Sequence, residues 1–139
     1  MAAEPTFMDT GGFFALLSAE DASHRKASAV MEEAGQAHRS VVTTDYVLDE
    51  TVTLLRAREL TKHLKEFLRM TETSRALSIE WMTPDRFAAA RTIMLKHLDQ
   101  EFSFTDCVSF VVMKELRLVD ALATDKHFRI AGFNPLLLE

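Results

Sequence analysis

Asp9 closes a short apolar run, Thr6-Phe7-Met8, and Asp125 closes a longer one over residues 118–124. Asp106 falls in the first turn of one helical pattern and Glu50 in the second turn of another. Taken singly, each acid has a commoner role. An Asp at a strand end caps a helix or forms a turn, Glu50 suits a solvated helix face, and Asp106 complements a helix dipole. What sets them apart is their coincidence at one edge of one alternating pattern. Carboxylates gathered there repel one another and partly protonate unless a cation neutralises them. Oxygen-only donors suit Mg²⁺ or Mn²⁺ rather than zinc.

That argument depends on the elements that carry the acids. Thr6-Phe7-Met8 reads as a strand, Thr10-Gly11-Gly12 as a tight turn, and Phe13 onward as a helix. Residues 21–37 show helical spacing with Asp21 as the cap. Ser40 to Thr43 form a second strand, and Thr44 or Asp45 caps a helix with Val47, Leu48, Thr51, Leu54 and Leu55 on one face. A further helix from about Thr61 buries Leu64, Phe67 and Leu68. Leu77, Ile79 and Trp81 alternate as a third strand. Thr83-Pro84-Asp85 is a helix start, and the helix after it presents Phe87, Ala90, Met94 and Leu98. A helix after Phe104-Thr105-Asp106 with Val108, Val111, Val112 and Leu116, a fourth strand over 118–124 and an edge strand over 133–138 complete the chain, with Pro135 suited to an edge.

Strands alternating with helices predict an α/β fold with a central parallel sheet of about five strands between two helical layers. Ligands to such a sheet sit beyond the carboxyl ends of the strands. Strand ends and the starts of following helices share that edge. The helix before the fourth strand runs antiparallel to it, so Asp106 meets Asp125 there. All four acids converge on this reading.

Composition narrows the classes. The chain has 139 residues, 47% hydrophobic, with ten phenylalanines and few glycines or prolines, which fits one domain over residues 1–139. No apolar run is long enough to span a bilayer, and residues 1–8 lack the features of a secretory signal, so a cytoplasmic protein with no membrane partner is the expectation. Cys107 is the only cysteine. It excludes an internal disulfide or a thiolate zinc site and reads as a buried packing residue. A net charge of −5 argues against a bulk basic nucleic-acid binder, but not against an enzyme with acids at a metal site and cations around its rim.

Four segments carry a resemblance: Phe7-Met8-Asp9-Thr10-Gly11; Thr43-Thr44-Asp45-Tyr46-Val47-Leu48-Asp49-Glu50-Thr51; Phe102-Ser103-Phe104-Thr105-Asp106-Cys107-Val108-Ser109-Phe110; and Ala123-Thr124-Asp125-Lys126-His127-Phe128. In order and spacing the chain resembles the PIN-domain ribonucleases, and within them the VapC toxins of bacterial type II toxin–antitoxin pairs. No one segment is specific alone; the second and third are the most specific.

The resemblance implies a three-layer PIN fold and a Mg²⁺- or Mn²⁺-dependent endoribonuclease. It would cut structured RNA (tRNA, rRNA or mRNA) and leave a 5′-phosphate and a 3′-hydroxyl. Asp9, Glu50, Asp106 and Asp125 would be the catalytic quartet, with Asp9 and Asp106 as direct metal ligands. Thr10 and Thr124 would lie beside the substrate, their hydroxyls orienting carboxylates or water. Asp45, Asp49 and Asp120 read as surface, cap or structural residues.

RNA would then need cations to hold it. The candidates are Arg56, Arg58, Lys62, His63, Lys65 and Arg69 on the third and fourth helices, and Lys126, His127 and Arg129 after Asp125. Of these, Arg56, Lys62 and His127 are the residues assigned to substrate; a solvated helix face is the plain alternative. The family further implies a homodimer silenced by a cognate antitoxin. A phosphorelay receiver would need adjacent acids after the first strand and an acid after the third, where Trp81-Met82-Thr83 has none. A haloacid-dehalogenase phosphatase would need a second Asp in place of Gly11. The remaining alternative is an inactive PIN-like RNA-binding or scaffold domain, which usually loses members of the quartet.

Overall fold

The computed structural model describes residues 4–38 and 40–138. In chain order the elements are β1 (Thr6–Met8), α1 (Thr10–Leu17), α2 (His24–Gln36), β2 (Val41–Thr44), α3 (Asp45–Ala57), α4 (Thr61–Thr73), β3 (Leu77–Glu80), α5 (Pro84–Lys96), α6 (Phe104–Glu115), β4 (Asp120–Leu122), α7 (His127–Ile130) and β5 (Asn134–Pro135). The five strands form one sheet in the order β3-β2-β1-β4-β5, and every pairing is parallel. Phe7 on β1 lies opposite Val42 on one side and Ala121 on the other. This is the three-layer α/β/α architecture that the alternating pattern predicts. Right-handed crossovers put the helices of the β1-to-β3 run and those of the β3-to-β5 run on opposite faces.

Aromatic rings fill both interlayers. Phe13 on α1 meets Phe67 on α4 edge-on with centroids 5.0 Å apart. In the other layer Phe110 on α6 meets Phe128 on α7 at 5.2 Å, and Phe128 reaches Phe7 on β1 at 6.2 Å. Phe7, Phe13, Phe67 and Phe128 are fully buried or nearly so, and such pairs stabilise beyond their buried area.

Several elements differ from the pattern-based expectation. Thr10-Gly11-Gly12 is not a turn but the first turn of α1. The second helix starts at His24, with Ser23 rather than Asp21 at the cap position; Asp21 Oδ1 instead accepts from Ser23 N at 2.8 Å in the preceding loop. Leu68, Phe87 and Leu98 are exposed rather than buried, and Trp81 lies beyond β3 with 61% of its surface in water. β4 and β5 are shorter than 118–124 and 133–138 suggest, and α7 is an extra turn of helix between them. The caps at Thr44 and Thr83 form as expected: each hydroxyl accepts from the backbone N–H three residues on, at 3.1 Å.

Candidate active site

Asp9 occupies the cap position of α1, directly after β1. Its N–H donates to Leu122 O at 3.1 Å and its carbonyl accepts from Gly12 N and Phe13 N. The backbone therefore starts the helix, while the side chain makes no cap bond and is free for the site. The carboxyl is buried, with the residue only 4% exposed, and Oδ1 has no hydrogen-bond partner. The end of β1 is braced from β2 by the Thr43 hydroxyl, which donates to Met8 O at 2.8 Å.

Gly11 and Gly12 let α1 sit close on β4. A Cβ at Gly11 would stand 2.5 Å from Thr124 Oγ1, and one at Gly12 would collide with Leu122 O and Met8 Sδ. That approach brings Thr10 to α3. The Thr10 hydroxyl donates to Glu50 Oε1 at 2.6 Å. The buried Thr51 hydroxyl lies 3.2 Å from Thr10 Oγ1 and 2.8 Å from Val47 O, and shares its proton between them.

Asp106 is built into the start of α6 by a capping box. Ser103 Oγ accepts from Asp106 N at 3.0 Å and Asp106 Oδ2 accepts from Ser103 N at 3.1 Å. The same Oδ2 lies 2.9 Å from His127 Nδ1. His127 N donates to Asp125 Oδ1 at 2.9 Å, and Nδ1 lies 3.8 Å from that oxygen. One ligating atom each from Asp106, Asp125 and His127 fall within 4.8 Å of one another.

These acids lie within one another's electrostatic field. Burial pushes the Asp9 carboxyl well above the usual carboxylate range, and the charges of Asp106, Asp125 and Glu50 push it further. Burial also raises Asp106, as does Asp125, against the lowering effect of the Ser103 N–H and of His127. Cys107, buried and next to Asp106, has its thiol pushed up to about 11, chiefly by burial. It is inert packing, as its sequence context implies.

Against known proteins, the PIN domain family matches residues 6–134. The chain belongs to the PIN-domain family. The 23S rRNA-specific endonuclease VapC20 of Mycobacterium tuberculosis is 32% identical over 127 residues, which are 91% of this chain and 94% of that one. A VapC ribonuclease of Archaeoglobus fulgidus is 35% identical over 127 residues, 88% of this chain and 78% of that one. The crystal structure of M. tuberculosis VapC20, a sarcin–ricin loop cleaving toxin, superposes with a TM-score of 0.80 at 31% identity. That match covers 94% of this chain and 96% of the other.

In this PIN domain a cleft of about 350 Å³ opens at the carboxyl edge of the sheet, lined by Asp9, Thr10, Glu50, Thr124 and Asp125 together with Phe14, Asp21, Leu54 and Arg58. Asp125 belongs both to this cleft and to the Asp106–His127 group, and so joins the two. Of the expected cations, Arg56 lines a separate depression with Glu59 and Thr61, and Lys62 is exposed at the start of α4. Arg58 lines the acidic cleft itself, its guanidinium 4.9 Å from the centre of the Phe14 ring.

Sequence reasoning missed Ser103 and the bond from His127 to Asp106. Ser103-x-x-Asp106 was a readable capping signal. The histidine contact crosses from α6 to α7 and leaves no local trace. Among the described residues no helix is long and apolar enough to cross a membrane.

Proposed function

We propose that this PIN domain is an endoribonuclease working with a bound Mg²⁺ or Mn²⁺, and the toxin half of a toxin–antitoxin pair. One observation carries the metal reading: a buried Asp9 carboxyl oxygen with no hydrogen-bond partner sits in the field of three further acids. A buried carboxylate without a donor is costly, and a divalent cation is the group that would satisfy it. The donor set is oxygen-rich, which suits a hard cation.

Asp9 and Asp106 would hold the ion, with Asp125 at hand. Such an ion, when bound, supplies positive charge to the scissile phosphate and acidifies a coordinated water. Glu50 accepts the Thr10 hydroxyl on Oε1, which fixes its orientation and leaves the other oxygen to take a proton from the attacking water. Asp125 is the second candidate for that proton. His127, donating from Nδ1, would keep the Asp106 carboxylate in register. Thr124 would orient water or a carboxylate on the far side of Gly11, and Arg58 would meet a phosphate. Arg56, Lys62 and His127 would extend the hold on RNA outside the cleft. Cleavage would leave a 5′-phosphate and a 3′-hydroxyl.

Similarity to VapC20, a 23S rRNA-specific endonuclease and sarcin–ricin loop cleaving toxin, favours a ribosomal RNA loop as substrate. The other proposed partners are a cognate antitoxin and a second copy of the chain, and the protein is proposed to work in the cytoplasm as one domain. Incubating the purified protein with ribosomal RNA and Mn²⁺, then sequencing the new 5′ ends, tests the activity. Discrete ends are expected with Mn²⁺ and none with chelator. Asp9→Asn or Asp106→Asn should lower the rate at least about 100-fold. Identical ends from wild type and Asp106→Asn would sink the assignment.

A further inference from the structure

The acidic cleft extends beyond its acids. Two helical stripes line it: Thr10 and Phe14 on α1, and Glu50, Leu54 and Arg58 on α3 and its C-cap, each four residues from the next. Two contacts between the stripes fix how they run together. The Thr10 hydroxyl meets Glu50 Oε1 at 2.6 Å, and the Arg58 guanidinium carbon lies 4.9 Å from the centre of the Phe14 ring. At about 1.5 Å per residue, the backbone of Arg58 stands about 12 Å along α3 from that of Glu50, and Phe14 about 6 Å along α1 from Thr10. One cleft therefore has an acid end, at Thr10 and Glu50, and a cation end, at Phe14 and Arg58.

The cation end is built for an anion from outside. Phe14 is half-buried and packed against the core, so the ring is a fixed surface for the guanidinium, which is attracted to its face. Among the described residues Arg58 forms no ion pair; the pairs there belong to Arg86 and His127. The acids lining the same cleft are engaged elsewhere. Glu50 Oε1 takes the Thr10 hydroxyl, and Asp21 Oδ1 takes the Ser23 N–H at 2.8 Å. The guanidinium thus keeps its planar fork of donors, whose geometry matches a phosphate.

We propose that Phe14 positions Arg58 to bind a second phosphate of the RNA strand, next along the cleft from the scissile one. The proposal rests on the ribonuclease reading above, and adds which phosphate Arg58 takes and what holds the cation for it. An ion at Asp9 and Asp106 takes the scissile phosphate. Arg58 stands off from the acid end by more than a turn of helix, a separation of the order of the step between successive backbone phosphates. A guanidinium already laid on a ring loses little freedom when that phosphate arrives. The competing anion is a carboxylate of a partner protein. The continuity of the cleft from Phe14 and Arg58 to Asp9 and Asp125 favours the strand that is cut there.

The test measures steady-state cleavage of a loop RNA in Mn²⁺ by wild type, Phe14→Leu, Arg58→Gln, Arg58→Lys and the Phe14→Leu/Arg58→Gln double variant, all well below their melting temperatures. Arg58→Gln is expected to raise KM about tenfold with kcat little changed. Arg58→Lys should recover only part of that loss, because an ammonium lacks the fork. Phe14→Leu stays apolar but removes the ring face. It should raise KM about threefold in wild type and not at all beside Arg58→Gln. RNAs carrying a single uncharged methylphosphonate locate the phosphate: the substitution one step from the cleaved bond should raise KM for wild type but not for Arg58→Gln. Wild type that cleaves while Arg58→Gln keeps its KM overturns the subsite alone. Equal sensitivity of wild type and Arg58→Gln to every methylphosphonate also overturns it, and leaves the guanidinium to a partner's carboxylate. An equal effect of Phe14→Leu in both backgrounds overturns the role given to Phe14. Wild type that neither cleaves nor binds RNA overturns the subsite and the ribonuclease reading together.

Discussion

At the residue scale, Asp9 is the group expected to couple stability to pH and to a bound cation. Its folded-state pKa is raised, first by burial and then by three neighbouring acids, so the native state binds that proton more tightly than the unfolded chain does. The resulting stability is complete below the unfolded value near about 4 and is lost as pH rises through the raised folded value. Ion-free protein is therefore expected to melt at falling temperatures as pH increases from the acid side to neutral. Asp9→Asn should flatten that profile and melt higher than wild type at neutral pH without metal. Mn²⁺ should raise the wild-type melting temperature by several degrees and leave Asp9→Asn nearly unmoved. Calorimetry with and without chelator reads all of this, and a wild-type profile that matches Asp9→Asn would contradict the account.

At the element scale, the approach of α1 to β4 is the tightest constraint on the site. Gly12→Ala would drive a methyl group into the backbone carbonyl of Leu122 and the sulfur of Met8. Neither the strand nor the buried Met8 can yield easily. The expected cost is about 2 kcal/mol or more, seen as a melting temperature lower by several degrees with unchanged far-UV dichroism. Gly35→Ala, where nothing stands within 4 Å, is the matched control and should be neutral or slightly stabilising.

The same pair of glycines shows where sequence reading succeeds and stops. Periodicity and caps located β1, β2, α3, α5 and α6 because those signals are local: Thr83-Pro84-Asp85 carries its helix start within three residues. Gly11-Gly12 looked like a turn because glycine's lack of a side chain is needed here for a neighbour over a hundred residues away, not for the backbone. The quartet could be ranked from pattern and family, since strand ends fix an edge. The split between an Asp9–Glu50–Asp125 cleft and an Asp106–Asp125–His127 group depends on side-chain directions that spacing does not encode. Likewise Arg58, rather than Arg56, faces the cleft because of which way α3 is rotated against α1. Two residues along a helix are enough to move a cation from one depression to another.

At the scale of the whole molecule, the balance of charge limits how RNA is held. With a net charge of −5 and Arg58 as the cation lining the cleft, few phosphates can be neutralised. The expected dependence of the logarithm of the association constant on log salt is shallow, with a slope of about −2 or less in magnitude if roughly three phosphates are contacted. Fluorescence anisotropy of a labelled RNA loop over a salt series measures it. A slope of −5 or steeper would mean that a basic surface beyond this cleft carries most of the binding.

The central position of β1 has a consequence for when the enzyme comes into being. Asp9 and Asp125 come from opposite ends of the chain, and Phe7 pairs with Ala121. Until β4 has been synthesised and docked, the cleft has no second wall, and the end of β1 is held from the β2 side alone. Contacts this distant in sequence form late in folding. A ribosome making this chain therefore carries an inert polypeptide until β4 has emerged. The cleft closes only once β4 has folded back on β1.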